Sequence, residues 1–178
     1  MKTLRHTVPL LALAALASAG CFLISGQFVV NYVLPSPLHV TSTPLLTGVS
    51  VDLNTIGDYS DHKGDLKRVD DLALIGDFKN NGAGAANVET WIVPNGALSL
   101  TAAQLAAQGV RLWGPLSVAA GATEHVDWNR SASLFVGRQA LIDEIKGDGQ
   151  FSLFVIANGT FDVTVTQGVL AAVIGAAK

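Results

Sequence analysis

The sequence predicts a mainly β protein: an antiparallel β-sandwich of about eight strands with two or three short helices between them. Three observations carry this. Short apolar runs alternate with polar residues at period two, as in Val49-Ser50-Val51-Asp52-Leu53 and Phe161-Asp162-Val163-Thr164-Val165. That period puts successive side chains on opposite faces of a sheet. Turn signals separate the runs, among them Pro35-Ser36-Pro37, Lys79-Asn80-Asn81-Gly82, Pro94-Asn95-Gly96 and Asn158-Gly159. Apolar residues at helical spacing are confined to short segments. An up-and-down barrel is the next architecture the same pattern allows.

The strands follow in order. Phe28 to Leu34 is β-rich and stops at Pro35-Ser36-Pro37, because proline cannot donate to a ladder and restricts the residue before it. Leu45 to Leu53 and Leu72 to Lys79 come next. In Val88 to Val93 one side carries Val88, Thr90 and Ile92 and the other Glu89, Trp91 and Val93. Leu112 to Val118 and Thr123 to Trp128 are joined across Ala119-Ala120-Gly121-Ala122. Phe151 to Ala157 and Thr160 to Gln167 flank Asn158-Gly159, the commonest two-residue hairpin turn, so the two arms are predicted to pair. Phe161, Val163 and Val165 then point inward, Gly168 is a candidate bulge, and Val169 to Ile174 continues as a buried strand.

Three helical segments interrupt the strands. Thr101 to Gln108 has Thr101 as N-cap and Gly109 as stop. Ser131 or Ser133 is expected to cap a helix running to Lys146, with Leu134, Leu141 and Ile145 on its apolar stripe and Gly147 as its end. A polar helix of one or two turns is expected in Tyr59 to Val69, presenting Leu66 and Val69 to the core. The architecture resembles immunoglobulin-like and fibronectin-like sandwiches, a likeness of layout that carries no function.

The beginning of the chain reads as an export signal. Lys2 and Arg5 form a positive region, Val8 to Ala17 an apolar one, and Ser18-Ala19-Gly20 a zone of small residues before Cys21, the only cysteine. This segment resembles the lipobox of bacterial lipoproteins. The resemblance implies that residues 1–20 are a signal peptide and that the Cys21 thiol is lipidated and becomes the new N-terminus. Residues 21–27 are then a lipidated tether, and residues 28–178 a single sandwich domain. In Gram-negative members an Asp after the cysteine retains the protein at the inner membrane, so Phe22 implies the outer membrane. Ser18 stands where the family carries an aliphatic residue. Ordinary cleavage after Ala15-Leu16-Ala17 or Ala17-Ser18-Ala19 would give a secreted protein instead. The charge-free run from Val8 to Val30 is also long enough, at about 1.5 Å per residue, for an uncleaved anchor.

Composition narrows the function. The chain of 178 residues carries a net charge of −3, which loss of Lys2 and Arg5 makes more negative. Such a balance offers nucleic acid no basic footprint. Charged residues make up 14 %, against about a quarter in ordinary domains. One cysteine closes no internal disulfide, so packing must hold the fold.

No catalytic, cofactor or metal site is expected. Asp52-Leu53-Asn54-Thr55-Ile56-Gly57-Asp58, with Asp61 and Asp65, resembles the opening of an EF-hand loop. Ile56 then replaces a ligand, and Lys63 stands where the bidentate Glu belongs. His39, His62 and His125 are scattered, without the local pair a zinc site wants. Ser131-Ala132-Ser133 lacks the glycines of a nucleophile elbow. Trp91, Trp113 and Trp128 suit core or edge packing, although tryptophans also anchor binding surfaces. The function expected is therefore that of an exported envelope protein, held to the membrane through Cys21. It acts as a non-enzymatic interaction, adhesion or assembly module with an envelope or surface protein partner. The alternative is a carrier that holds an apolar ligand in a sandwich or barrel cavity, with Val169 to Ala177 lining it.

Overall fold

The computed structural model describes residues 25–94 and 96–177. Two antiparallel sheets face each other. The first orders β1 (Ser25–Val33), β11 (Asp162–Ala177), β5 (Leu66–Asn80) and β9 (Thr123–Val126), with β2 (Leu38–Thr41) also paired to β11. The second orders β4 (Val49–Asp52), β10 (Gln150–Ala157), β6 (Ala86–Pro94) and β8 (Val110–Val118). A two-strand ladder of β3 (Leu46–Thr47) and β7 (Ser99–Leu100) brings the total to eleven strands among the described residues. The antiparallel β-sandwich is thus as the sequence predicts. The strand count exceeds eight because β2, β3 and β7 are too short to show a period.

The core lies between the sheets. Alternate residues Val30, Leu72, Leu74, Phe78, Val163, Val165, Leu170 and Ile174 enter it from the first sheet. Val88, Ile92, Trp113, Phe151 and Leu153 meet them from the second. Phe78 stacks on Trp113 with ring centroids 5.3 Å apart, an arrangement that adds to area burial. The helices close the open sides. α1 (Gly57–His62) supplies the buried Tyr59, whose hydroxyl donates to the Ile145 carbonyl of α4 (Arg138–Lys146) at 2.7 Å. α2 (Ala102–Gln108), with β3 and β7, covers the outer side of β6 and β10, where Leu46, Leu100, Leu105 and Phe154 are buried. Thr101 and Gln104 form the capping box of α2, and Gly109 ends it.

The Asn158-Gly159 turn does not make a hairpin. β10 pairs with β4 and β6, and β11 with β1, β2 and β5. Both edges of β10 are occupied, and Phe151 to Val155 are all buried, so β10 is an interior strand of the second sheet. The turn instead carries the chain across the sandwich, with Gly159 at φ +66° and Asn158 Oδ1 accepting the Asn87 N–H at 2.7 Å. Phe161, Val163 and Val165 do point inward.

Four further expectations are corrected. The helix from Ser131 or Ser133 to Lys146 is two helices, α3 (Trp128–Leu134), capped by Asp127, and α4. Between them the chain docks on β8: Val136 and Gly137 donate to the Leu112 carbonyl at 3.0 and 3.1 Å. A Cβ at Gly137 would stand 2.3 Å from the Arg111 carbonyl oxygen. The strand expected over Thr123 to Trp128 ends at Val126, because Asp127 starts α3. Helix in Tyr59 to Val69 stops before Leu66, which with Val69 reaches the core from β5. Residues 25–27, expected in the tether, belong to β1, since Gly175 to Ala177 extend β11 far enough to pair with them.

Candidate interaction surface

The bulge in β11 organises the outer face of the first sheet. Gln167, at φ +54°, and Gly168 interrupt the register with β5 between Thr166 and Val169. The extra residue switches which side chains face outward. Before it these are Asp162, Thr164 and Thr166; after it they are Val169, Ala171 and Val173, while Leu170, Ala172 and Ile174 enter the core.

The half before the bulge is polar. Thr164 lies between His39 and Lys79, and Thr166 beside Asp77, which opposes His125. His39 Nε2 and Asp162 Oδ1 are 2.7 Å apart, as are His125 Nδ1 and Asp77 Oδ1. The Asn81 amide, donating to Asp162 Oδ1 at 2.9 Å, and then His39 hold the Asp162 carboxyl below the usual carboxylate range. Among the described residues neither imidazole hydrogen-bonds a serine or cysteine; each meets a carboxylate.

The half after the bulge is mainly apolar, with Asn31 and Asp71 at its margins. Val33, Val169 and Ile75 form one cross-strand row; Asn31, Ala171 and Ala73 the next; Val29, Val173 and Asp71 the third. Ala73 and Ala171 are buried at the floor of this face, although they point away from the core. Val29 and Val33 are 47 % and 68 % exposed. Polar groups rim it: Gln27 Nε2 and Arg68 Nε each donate to Asp70 at 2.6 Å, and Arg68 lies across Gly175. Trp128 Nε1 donates to Asp71 Oδ2 at 2.7 Å, which with burial opposing leaves the Asp71 carboxyl below its ordinary value. Val29 and Val33 are exposed and Ile75, Val169 and Val173 half-buried around them; contiguous apolar patches with polar rims mark surfaces that meet other surfaces.

Several other sheet edges are covered by local devices. Beyond β9 the edge of β5 is taken over by α3, where Ser131 Oγ accepts the Leu74 N–H at 2.6 Å. The bridge between Trp113 and Phe135 and the bonds to Leu112 cover β8. β4 is short, and Tyr32 Oη donates to its Ser50 carbonyl at 2.7 Å. On β1, by contrast, no strand among the described residues pairs with the edge opposite β11.

The residues singled out in the sequence are not gathered on this surface. Cys21, like residues 1–20, where a signal peptide is expected, lies outside the described residues. No helix among the described residues is long and apolar enough to cross a membrane. The acidic segment is a structural knot: Asp52 Oδ1 accepts from the Asn54 backbone at 3.0 Å and its side chain at 2.7 Å, which keeps the Asp52 carboxyl below the usual range. The Lys63 ammonium sits 2.9 Å from Asn54 Oδ1 and 2.6 Å from the Asp148 carbonyl, where a cation would have to bind. The His62 ring lies 5.1 Å from that of Phe28, tilted by 36°. Ser131 is buried and serves as a hydrogen-bond acceptor, Trp113 is core, Trp91 is half-buried on the interior strand β6, and Trp128 is half-buried at the start of α3. In the sequence Val33 reads as a strand residue, and Val29 as a strand residue or as part of the apolar run from Val8 to Val30. The signal that could have found them is a nine-residue strand, SGQFVVNYV, without one charge.

The fold and this surface place the chain among antiparallel β-sandwiches with one exposed apolar sheet face. No protein-family model matches the chain, and neither a curated protein nor a solved structure shows significant similarity to it.

Proposed function

We propose that this chain is an exported bacterial envelope protein, lipid-anchored at Cys21, that works as a non-enzymatic interaction, adhesion or assembly module. The observation that carries the reading is the apolar face of Val29, Val33, Ile75, Val169 and Val173, bordered by the uncharged edge of β1. β1 starts at Ser25, so an acyl chain on Cys21 would leave only a few residues between the membrane and this surface. Phe22 favours the outer membrane. The carrier alternative draws less support: Trp113, Phe78, Phe151, Leu72 and Leu74 fill the space between the sheets, and Leu170, Ala172 and Ile174, from the run expected to line a cavity, are packed among them.

Two measurements test it. Cys21→Ser should release the protein from the membrane fraction and abolish labelling by a fatty-acid analogue. A wild-type chain without label would mean simple secretion. A photocrosslinking side chain at Val33 should trap a protein partner in cells, whereas one at Lys79 on the polar half should not. Equal yields at both positions would sink the interaction reading.

A further inference from the structure

We infer that β1 pairs with β1 of a second copy of this chain, antiparallel and symmetric about Val29, joining the two first sheets into one. The first argument is hydrogen-bonding phase. Leu34 N donates to the Gly168 carbonyl at 2.8 Å, and the β1–β11 ladder runs without a register shift from Val33 to Ser25. In an antiparallel pair the backbone groups of alternate residues point to opposite sides. Tyr32, Val30, Phe28 and Gly26 therefore bond β11, while Ser25, Gln27, Val29, Asn31 and Val33 direct their N–H and C=O groups to the open edge. A twofold axis at Val29 makes that residue a hydrogen-bonded pair with itself, and every outward backbone group of the strand finds a partner.

The second argument is side-chain symmetry. About Val29, Gln27 opposes the partner's Asn31, so amide meets amide. Phe28 opposes the partner's Val30, and Val29 opposes the partner's Val29. Aromatic–aliphatic and polar pairs of this kind stabilise neighbouring strands. A charge at or next to the twofold axis would lie close to its own copy, and SGQFVVNYV has none. Edge strands that stay unpaired normally carry a lysine, a proline or a bulge against such contact. The prolines here, Pro35 and Pro37, come only after the strand ends. The third argument is closure. A symmetric contact uses up the open edge of each copy and ends the assembly at two. Pairing also sets the two apolar faces side by side on one sheet, bringing Val29 of each copy to the seam. This deepens the interaction reading by naming the partner, and it holds whether or not Cys21 is acylated.

Full-length protein carrying Cys21→Ser should show twice the chain mass by light scattering at micromolar concentration. Val29→Lys, at an exposed position that leaves the core intact, should return a single mass with unchanged circular dichroism and melting. In the same background Val29→Cys should form an intermolecular disulfide on mild oxidation. Val33→Cys, whose opposite number is the partner's Ser25, should not. A single mass for the parent protein overturns the inference. If the Val29→Cys thiol of that single chain also resists alkylation, residues 1–24 are the occupant of the edge. A dimer that survives Val29→Lys and forms no disulfide overturns the inference in favour of another face. Loss of the dimer with retention of a Val33 photocrosslink to a different protein would refute self-pairing while leaving the interaction reading in place.

Discussion

The Ser131 hydroxyl on α3 accepts the backbone N–H of Leu74 on β5 at 2.6 Å, and it accepts Trp113 Nε1–H at 3.1 Å from β8. One buried oxygen therefore ties a helix to both sheets at the place where β9 no longer covers β5.

Ser131→Ala should leave two buried donors without a partner, at about 1–3 kcal/mol for each. Urea unfolding would measure it. A loss within about 0.5 kcal/mol, the range of ordinary surface changes, would show that the hydroxyl is not needed to satisfy them.

Phe161 begins the inward row of β11 just after the crossing between sheets, and Ser42 bonds its backbone on both sides. Phe161→Ala should cost about 3–5 kcal/mol, as for other buried aromatic truncations, a large part of an ordinary domain's stability. A midpoint close to wild type in chemical denaturation would contradict its packing role.

Burial, and then the charges of Asp148 and Asp52, push the Tyr59 hydroxyl up from 10.0 to about 12. Tyr32 is raised as well, by burial first and Asp52 second. The folded protein thus keeps phenol protons that the unfolded chain has released. Their contribution to stability is complete below pH 10.0 and declines as pH rises toward about 12. Tyrosinate absorbance should accordingly rise late in an alkaline titration of native protein. Tyr59→Phe, though less stable at neutral pH, should show a shallower alkaline decline. An identical decline in both proteins would rule Tyr59 out as its source.

Calcium at millimolar concentration should leave the melting temperature unchanged, because a ligand far below its dissociation constant adds almost nothing to stability. Lys63→Gln should lower it, by withdrawing the ammonium from Asn54 and the Asp148 carbonyl. A calcium-induced rise that disappears in the Asp52→Asn, Asp58→Asn double variant would make the segment a metal site after all.

Much of the sandwich was legible because alternation is a local property. Val49 to Leu53, Val88 to Val93 and Phe161 to Val165 show the face they bury without reference to a partner. Pairing is not local. Asn158-Gly159 describes the backbone of a turn, and the same turn serves a hairpin or a crossing between sheets. The better guide was in β10 itself, where Phe151 to Val155 is apolar except for Ser152, the pattern of a strand covered on both faces. The helix break at Phe135 to Gly137 was hidden for a similar reason, since its cause is the Leu112 carbonyl of a distant strand. The candidate surface was the least legible feature. Whether Val29 and Val33 are exposed depends on which edge β11 fills, and that is settled only by the last strand of the chain.

That last strand has a consequence for how the protein comes into being. β11 is the common partner of β1, β2 and β5, and its final residues, Ala176 and Ala177, pair with the first ones of β1. A chain that emerges N-terminus first, from a ribosome or a translocation channel, presents those three strands before the one that joins them exists. Contacts so distant in sequence form slowly. The first sheet therefore closes only once β11 has been made and has threaded between β1 and β5.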